Sequence, residues 1–185
     1  MVANLFHPLN IFIIGLGGGF LFPLLSRLGK AWVSTAFLFA LVGMTLISAV
    51  SLWGLMAGAL PIEIFTGGST PPYSINLRLG LVESVFCLGV NLIALSGAGY
   101  FMRANYAVML IYLIMVMGIQ GMIMTRDLFN AFVFLEIVSV ATYGLLALQN
   151  APAAQSATFK YLMATVIAST FFLLGTVLLY AVTGI

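Results

Sequence analysis

Glu136 lies inside "TRDLFNAFVFLEIVSVATYGLLAL", Thr125 to Leu148, a stretch apolar enough to sit in lipid once Asp127 is passed. It is nine residues beyond Asp127, so on a helix it lies about 13 Å deeper, near the bilayer midplane. A carboxylate at that depth costs at least about 2.5 kcal/mol and has to be neutralised, paired or wetted. Ser139 and Tyr143 follow at i+3 and i+7, so a carboxylate, a hydroxyl and a phenol share one helical stripe that can face a hydrated interior. The chemistry this permits is the binding and relay of a proton, with no covalent step.

Lys160 is a second candidate, a few residues into the last apolar stretch after the polar turn "NAPAAQS". Two readings are open for it. The ammonium can snorkel to the interface, or it can reach Glu136 or a neighbouring file of water, with Ala164 and Ala168 leaving room on the same helical face. Glu83, near the start of the third apolar stretch, fits either a pore-lining position or a shallow, outward one. Asp127 reads as the N-cap of the helix that carries Glu136, its side chain accepting backbone N–H groups, and as a polar support for that site.

The elements that hold these residues follow from composition. The chain is 63% hydrophobic and only 5% charged, and its mean hydropathy is +1.23. A soluble domain carries about a quarter of its residues as charge, so this is an integral, all-α, polytopic membrane protein. Six basic residues against four acidic ones form no basic patch, which argues against nucleic-acid binding. Cys87 is the one cysteine and sits in an apolar run; it reads as a buried thiol and allows neither an intrachain disulfide nor a cysteine-built metal cage. No cofactor or metal motif is visible.

About 20 apolar helical residues cross a bilayer core. Six such stretches are expected near Leu9 to Ser26, Ala31 to Leu60, Leu77 to Phe101, Asn105 to Thr125, Leu128 to Leu148 and Ala157 to Val182. Together, residues 1–185 are expected to form one transmembrane domain. The N-terminal stretch lacks a preceding basic residue and reads as a retained span instead of a signal peptide. The long break "PIEIFTGGSTPPYSIN" reads as a surface loop with a short interfacial piece at "PIEIF". Within the first span, "GLGGGF" has no preceding soluble strand and no acidic ribose partner, so it is not a dinucleotide loop. Gly15 and Gly19 are expected to let another helix approach closely, and Pro23 can kink the span. His7 precedes that span and reads as an interfacial residue.

Trp32 and Trp53 are 21 residues apart, roughly 32 Å on a helix, which sets one indole near each face of the membrane. With Arg27, Lys30 and Arg103 on one side against Arg78 and Arg126 on the other, basic bias places both termini outside a cell (inner) membrane.

"DLFNAFVFLEIVSVATYGLLAL" and "ATFKYLMATVIASTFFLLGTVLLYAVTGI", Ala157 to Ile185, together resemble the signature of antiporter-like membrane subunits. These are the large membrane subunits of respiratory complex I, of Mrp-type cation/proton antiporters and of membrane-bound hydrogenases, with the Mrp D subunit nearest in character. "PPYSINLRLGLVESVF" resembles the family more loosely, and Gly80 stands where the family has an aspartate. The resemblance implies that Glu136 corresponds to the essential glutamate of the fifth helix and Lys160 to a lysine early in the sixth. It also implies that the glutamate pairs with a lysine on a seventh, discontinuous helix, beyond Ile185, in subunits of about fourteen spans built from inverted repeats.

The expected function is therefore a shortened antiporter-like subunit of a complex that couples proton, or sodium, translocation to cation exchange or redox chemistry. The alternative is a structural connector that joins ion-handling modules without conducting. Expected partners are the other membrane subunits of such a complex, a separate chain supplying the remaining half, and the lipid bilayer. Redox centres, where the complex has them, would belong to those partners.

Overall fold

The computed structural model describes residues 7–65, 75–149 and 151–183. Six helices, each long and apolar enough to cross a membrane, follow one another: α1 (Leu9–Ser26), α2 (Lys30–Met56), α3 (Leu81–Phe101), α4 (Tyr106–Met124), α5 (Leu128–Ala147) and α6 (Pro152–Thr183). Between α2 and α3 lie β1 (Ile62–Phe65) and β2 (Asn76–Leu79), an antiparallel pair with Glu63 opposite Arg78.

Several boundaries differ from the sequence expectation, among them the end of α2 at Met56, four residues before the expected Leu60. Ile62–Phe65 is a strand where the sequence suggests an interfacial piece of loop, and Leu77–Leu79, expected inside the third span, belongs to its partner strand. Alternation explains both: Ile64, Leu77 and Leu79 are buried while Glu63 and Arg78 point out and pair at 3.8 Å. Residues 66–74 of the expected loop lie outside the described residues. The last helix starts at Pro152, five residues before the expected Ala157, because proline is favoured in a first helical turn and "AAQSA" contains nothing that breaks a helix.

In lipid, helices gain little by hiding apolar surface from one another, so association rests on close packing and on hydrogen bonds between spans. Both converge on α4, whose most apolar 18-residue window is 50% buried, against 11% for α6 at the edge. Leu113, Val116 and Met117 of α4 pack with Ile11 of α1 and with Phe37, Leu41 and Met44 of α2. Tyr112 stacks on Phe101 at 4.1 Å between ring centres and donates its hydroxyl to Ala94 O at 3.1 Å. The close approach expected at Gly15 and Gly19 is made at Gly15 and Gly18 instead. A Cβ on Gly15 would lie 2.5 Å from Met117 Sδ and one on Gly18 2.7 Å from Leu113 Cδ2, whereas Gly19 has no neighbour within 4 Å.

The hairpin forms a second, smaller core. Ile64, Leu77 and Leu79 cover Cys87, Met124 and Phe134, and Leu77 bridges to Thr125. It thereby fixes the α4–α5 turn from which the Glu136 helix departs.

Candidate proton site on the fifth helix

The start of α5 is held by local polar bonds. Asp127 is its N-cap, with Oδ1 accepting from Phe129 N at 3.0 Å, and Asn130 Nδ2 donates to Thr125 Oγ1 at 2.9 Å. The rotation of α5 about its axis is set by two glycines of α4. A Cβ on Gly121 would overlap the ring of Phe134, and one on Gly118 would stand 2.9 Å from Val138 Cγ2. These absent side chains let α5 lie close to α4 with Phe134, Ser139 and Ala141 buried.

Glu136 is then turned away from that contact. It lines a groove of about 550 Å³ between α4 and α5, along with Ile111, Ile114, Phe132, Val133 and Tyr143. Among the described residues the Glu136 side chain makes no hydrogen bond and no ion pair. The groove is otherwise apolar, so a carboxylate is presented with a phenol seven residues on and no cation.

The other sequence candidates are distributed differently. Ser139 is buried and does not line the groove, so the expected three-residue stripe divides into Glu136 with Tyr143 on one side and Ser139 on the other. Lys160 is exposed on α6 and forms no ion pair with Glu136. Glu83 is in the first turn of α3, where Oε2 accepts from Gly80 N at 3.0 Å and Oε1 accepts from Arg126. That places it at the hairpin end of the bundle, bound to the α4–α5 turn.

Two polar features escape the sequence reasoning. Asn91 and Gln120, both 0% exposed, join α3 to α4: Gln120 Nε2 donates to Asn91 Oδ1 at 2.8 Å, and Asn91 Nδ2 donates to Gln120 Oε1 at 3.3 Å. Asn91 Nδ2 also donates to Ser48 Oγ at 2.8 Å and Met44 O at 3.1 Å, adding α2 to the network. The second feature is Tyr180 near the end of α6, whose hydroxyl donates to Asp127 Oδ1 at 2.5 Å. Uncharged amides inside apolar spans are a visible signal for the first; nothing in the sequence links Tyr180 to a residue 53 positions away.

No group of three or more His, Cys, Asp or Glu that could hold a metal ion occurs among the described residues.

Comparison with known proteins shows what the chain is similar to. The family model described as "NADH:quinone oxidoreductase/Mrp antiporter, TM" matches residues 125–185, the segment that contains Glu136 and Lys160. The NADH-quinone oxidoreductase subunit N of Desulforudis audaxviator is 32% identical over 192 residues, covering 100% of this chain and 38% of its own length. The D subunit of the Na(+)/H(+) antiporter of Bacillus subtilis is 27% identical, over 89% of this chain and 36% of that protein. Among solved structures, a chain of the membrane-bound sulfane sulfur reductase, an archaeal respiratory membrane complex, superposes with a TM-score of 0.88 at 30% identity, over 96% of this chain and 37% of that one. The chain thus spans less than two fifths of the length of each of these proteins. With six apolar spans in the same arrangement and the signature segment on the last two, the chain belongs to the antiporter-like membrane subunits of the Mrp and complex I families.

Proposed function

We propose that this chain serves, within a multisubunit membrane complex, in coupling proton or sodium translocation to cation exchange or redox chemistry, with Glu136 as its proton-binding group. One observation carries this reading: a carboxylate in the middle of an apolar span is left without a hydrogen bond or ion pair among the described residues, in a groove between α4 and α5. Retaining such a group is costly, and intramembrane ionisable residues ordinarily serve ion pathways. The open side of the groove is where a helix of the same complex would bring a cation or a water file to Glu136. Tyr143 is placed to hand a proton along the groove, while Lys160 and Glu83, at some remove, act as flanking charges. The relatives named above are subunits of an oxidoreductase and of an antiporter, and the partners here would be the membrane subunits of a comparable assembly.

The decisive test replaces Glu136 with Gln in the assembled complex. Proton-coupled transport should be abolished with assembly unchanged, and normal transport in that variant would overturn the assignment.

A further inference from the structure

Apart from Glu136 and Lys160, the charges of this protein are sorted by membrane face. Glu63, Glu83 and Asp127 lie at the hairpin end together with Arg78 and Arg126, and each of those arginines is paired, Arg78 with Glu63 and Arg126 with Glu83. Arg27, Lys30 and Arg103 occupy the opposite end, on the α1–α2 and α3–α4 turns, and no acidic residue accompanies them. Those two turns are joined: Lys30 Nζ donates to Arg103 O at 2.5 Å and Ser34 Oγ donates to Met102 O at 3.4 Å.

Between the turns lies a cavity of about 150 Å³ lined by Ser26, Lys30, Val33, Asn105, Tyr106 and Met109. A water takes about 30 Å³ in the liquid, so this volume admits a tetrahedral oxyanion with part of its hydration. Its polar wall carries the Lys30 ammonium, the Asn105 amide and the Tyr106 phenol as donors, while the Ser26 hydroxyl already donates to Pro23 O at 2.7 Å. Its floor is the apolar pair Val33 and Met109. The helices that begin here, α2 after Gly29 and α4 after Asn105, have no side-chain cap, which leaves their first-turn N–H groups to whatever occupies the interface. Tyr106, which lines the cavity, is 43% exposed, and Trp32, two residues beyond Lys30 in the first turn of α2, is 61% exposed, as aromatic residues at a headgroup layer are.

A phosphate group matches all of these features. Three cations without counter-charge at a membrane face would otherwise repel one another, and basic pockets between spans on the cytoplasmic side are suited to anionic headgroups. We propose that this cavity binds the phosphate of an anionic phospholipid. Lys30 is its principal cation, Arg27 and Arg103 supply the surrounding positive field, and the acyl chains run down the apolar exterior past Leu28 and Trp32.

The test uses the intact protein in mild detergent and counts retained lipid by native mass spectrometry, with phosphatidylglycerol, phosphatidylcholine or inorganic phosphate added. Phosphatidylglycerol should be retained in preference to phosphatidylcholine. The variant Lys30→Gln with Arg103→Gln should hold it about 30-fold more weakly, the loss expected for two basic residues at an anionic surface. Lys30→Arg should keep it, and Arg78→Gln, which removes one positive charge at the other face, should leave it unaltered. Equal retention of phosphatidylcholine, unchanged retention in the double variant, or an equal loss in Arg78→Gln would overturn the proposal. Displacement of the lipid by millimolar inorganic phosphate would likewise overturn it, assigning the cavity to the free anion.

Discussion

Asn91 and Gln120 exchange side-chain amide hydrogen bonds across the α3–α4 interface, fully buried, with Ser48 of α2 as a third member. The arrangement satisfies amides that would be costly alone in lipid, and it fixes the register of the helix against which α5 packs. Asn91→Ala strands Gln120 and Ser48, so unfolding in detergent should become easier by about 1–2 kcal/mol. Asn91→Leu combined with Gln120→Leu should recover part of that loss, because no buried amide then lacks a partner. A thermal-unfolding double-mutant cycle measures both, and additive losses would show that the two amides do not act as a pair.

Arg126 and Glu83 make an unequal pair. The Glu83 side chain is 13% exposed and the Arg126 side chain 43%, so loss of the arginine leaves a carboxylate in a drier place than loss of the glutamate leaves a guanidinium. Arg126→Gln is therefore expected to destabilise more than Glu83→Gln, the former by about 1–3 kcal/mol. Hydrogen exchange of the hairpin and of the α4–α5 turn should rise most in Arg126→Gln; the reverse order would contradict this.

Tyr180 ties the end of α6 to the N-cap of α5 through Asp127. The acceptor is ionisable and already caps a helix, so Tyr180→Phe should cost about 1–2 kcal/mol locally. Because α6 is the least buried span, that loss should appear as faster exchange and proteolysis near Thr183, with the α1–α4 core unchanged. Asp127→Asn should retain more protection than Asp127→Ala, since an amide oxygen can still cap.

The six spans are legible because each must cover lipid thickness with apolar residues, and that constraint acts on every segment independently of its neighbours. Leu9–Ser26 has its expected ends, and the N-cap position of Asp127 follows from local chemistry. What the sequence hides depends on rotation and pairing. Whether Gly18 or Gly19 meets α4 is a matter of about 100° around α1, and the separation of Ser139 from Glu136 is decided by Phe134 settling over Gly121. The hairpin is hidden for a related reason: four-residue strands have too little pattern of their own, and β1 and β2 form by pairing with each other.

Gly121 and Gly19 offer a matched pair that tests this account. Both are helical glycines, Gly19 in the middle of α1 and Gly121 in the last turn of α4, so intrinsic propensity favours alanine at each, by about 0.8–1 kcal/mol in a helix interior such as that of Gly19. At Gly121 the new Cβ would collide with the Phe134 ring, while at Gly19 it meets nothing within 4 Å. Gly121→Ala is expected to destabilise by about 1–3 kcal/mol and to rotate or displace α5, and Gly19→Ala to be neutral or mildly stabilising. Cross-linking between cysteines introduced on α4 and α5 would register the displacement.

Glu136 gives the most discriminating stability measurement because function and folding pull it in opposite directions. With no hydrogen bond or ion pair among the described residues and a groove of Ile111, Ile114, Phe132 and Val133 around it, the carboxylate contributes solvation cost and little packing. Glu136→Leu should therefore leave the unfolding midpoint of the protein in detergent unchanged or raise it, while Glu136→Gln is expected to remove transport from the assembled complex. A residue kept for structure behaves the other way, losing stability when replaced by an apolar group of similar size. A fall in the unfolding midpoint of Glu136→Leu would mean that the carboxylate holds the fold together, and the groove would then lose its claim to be a site built to receive a proton.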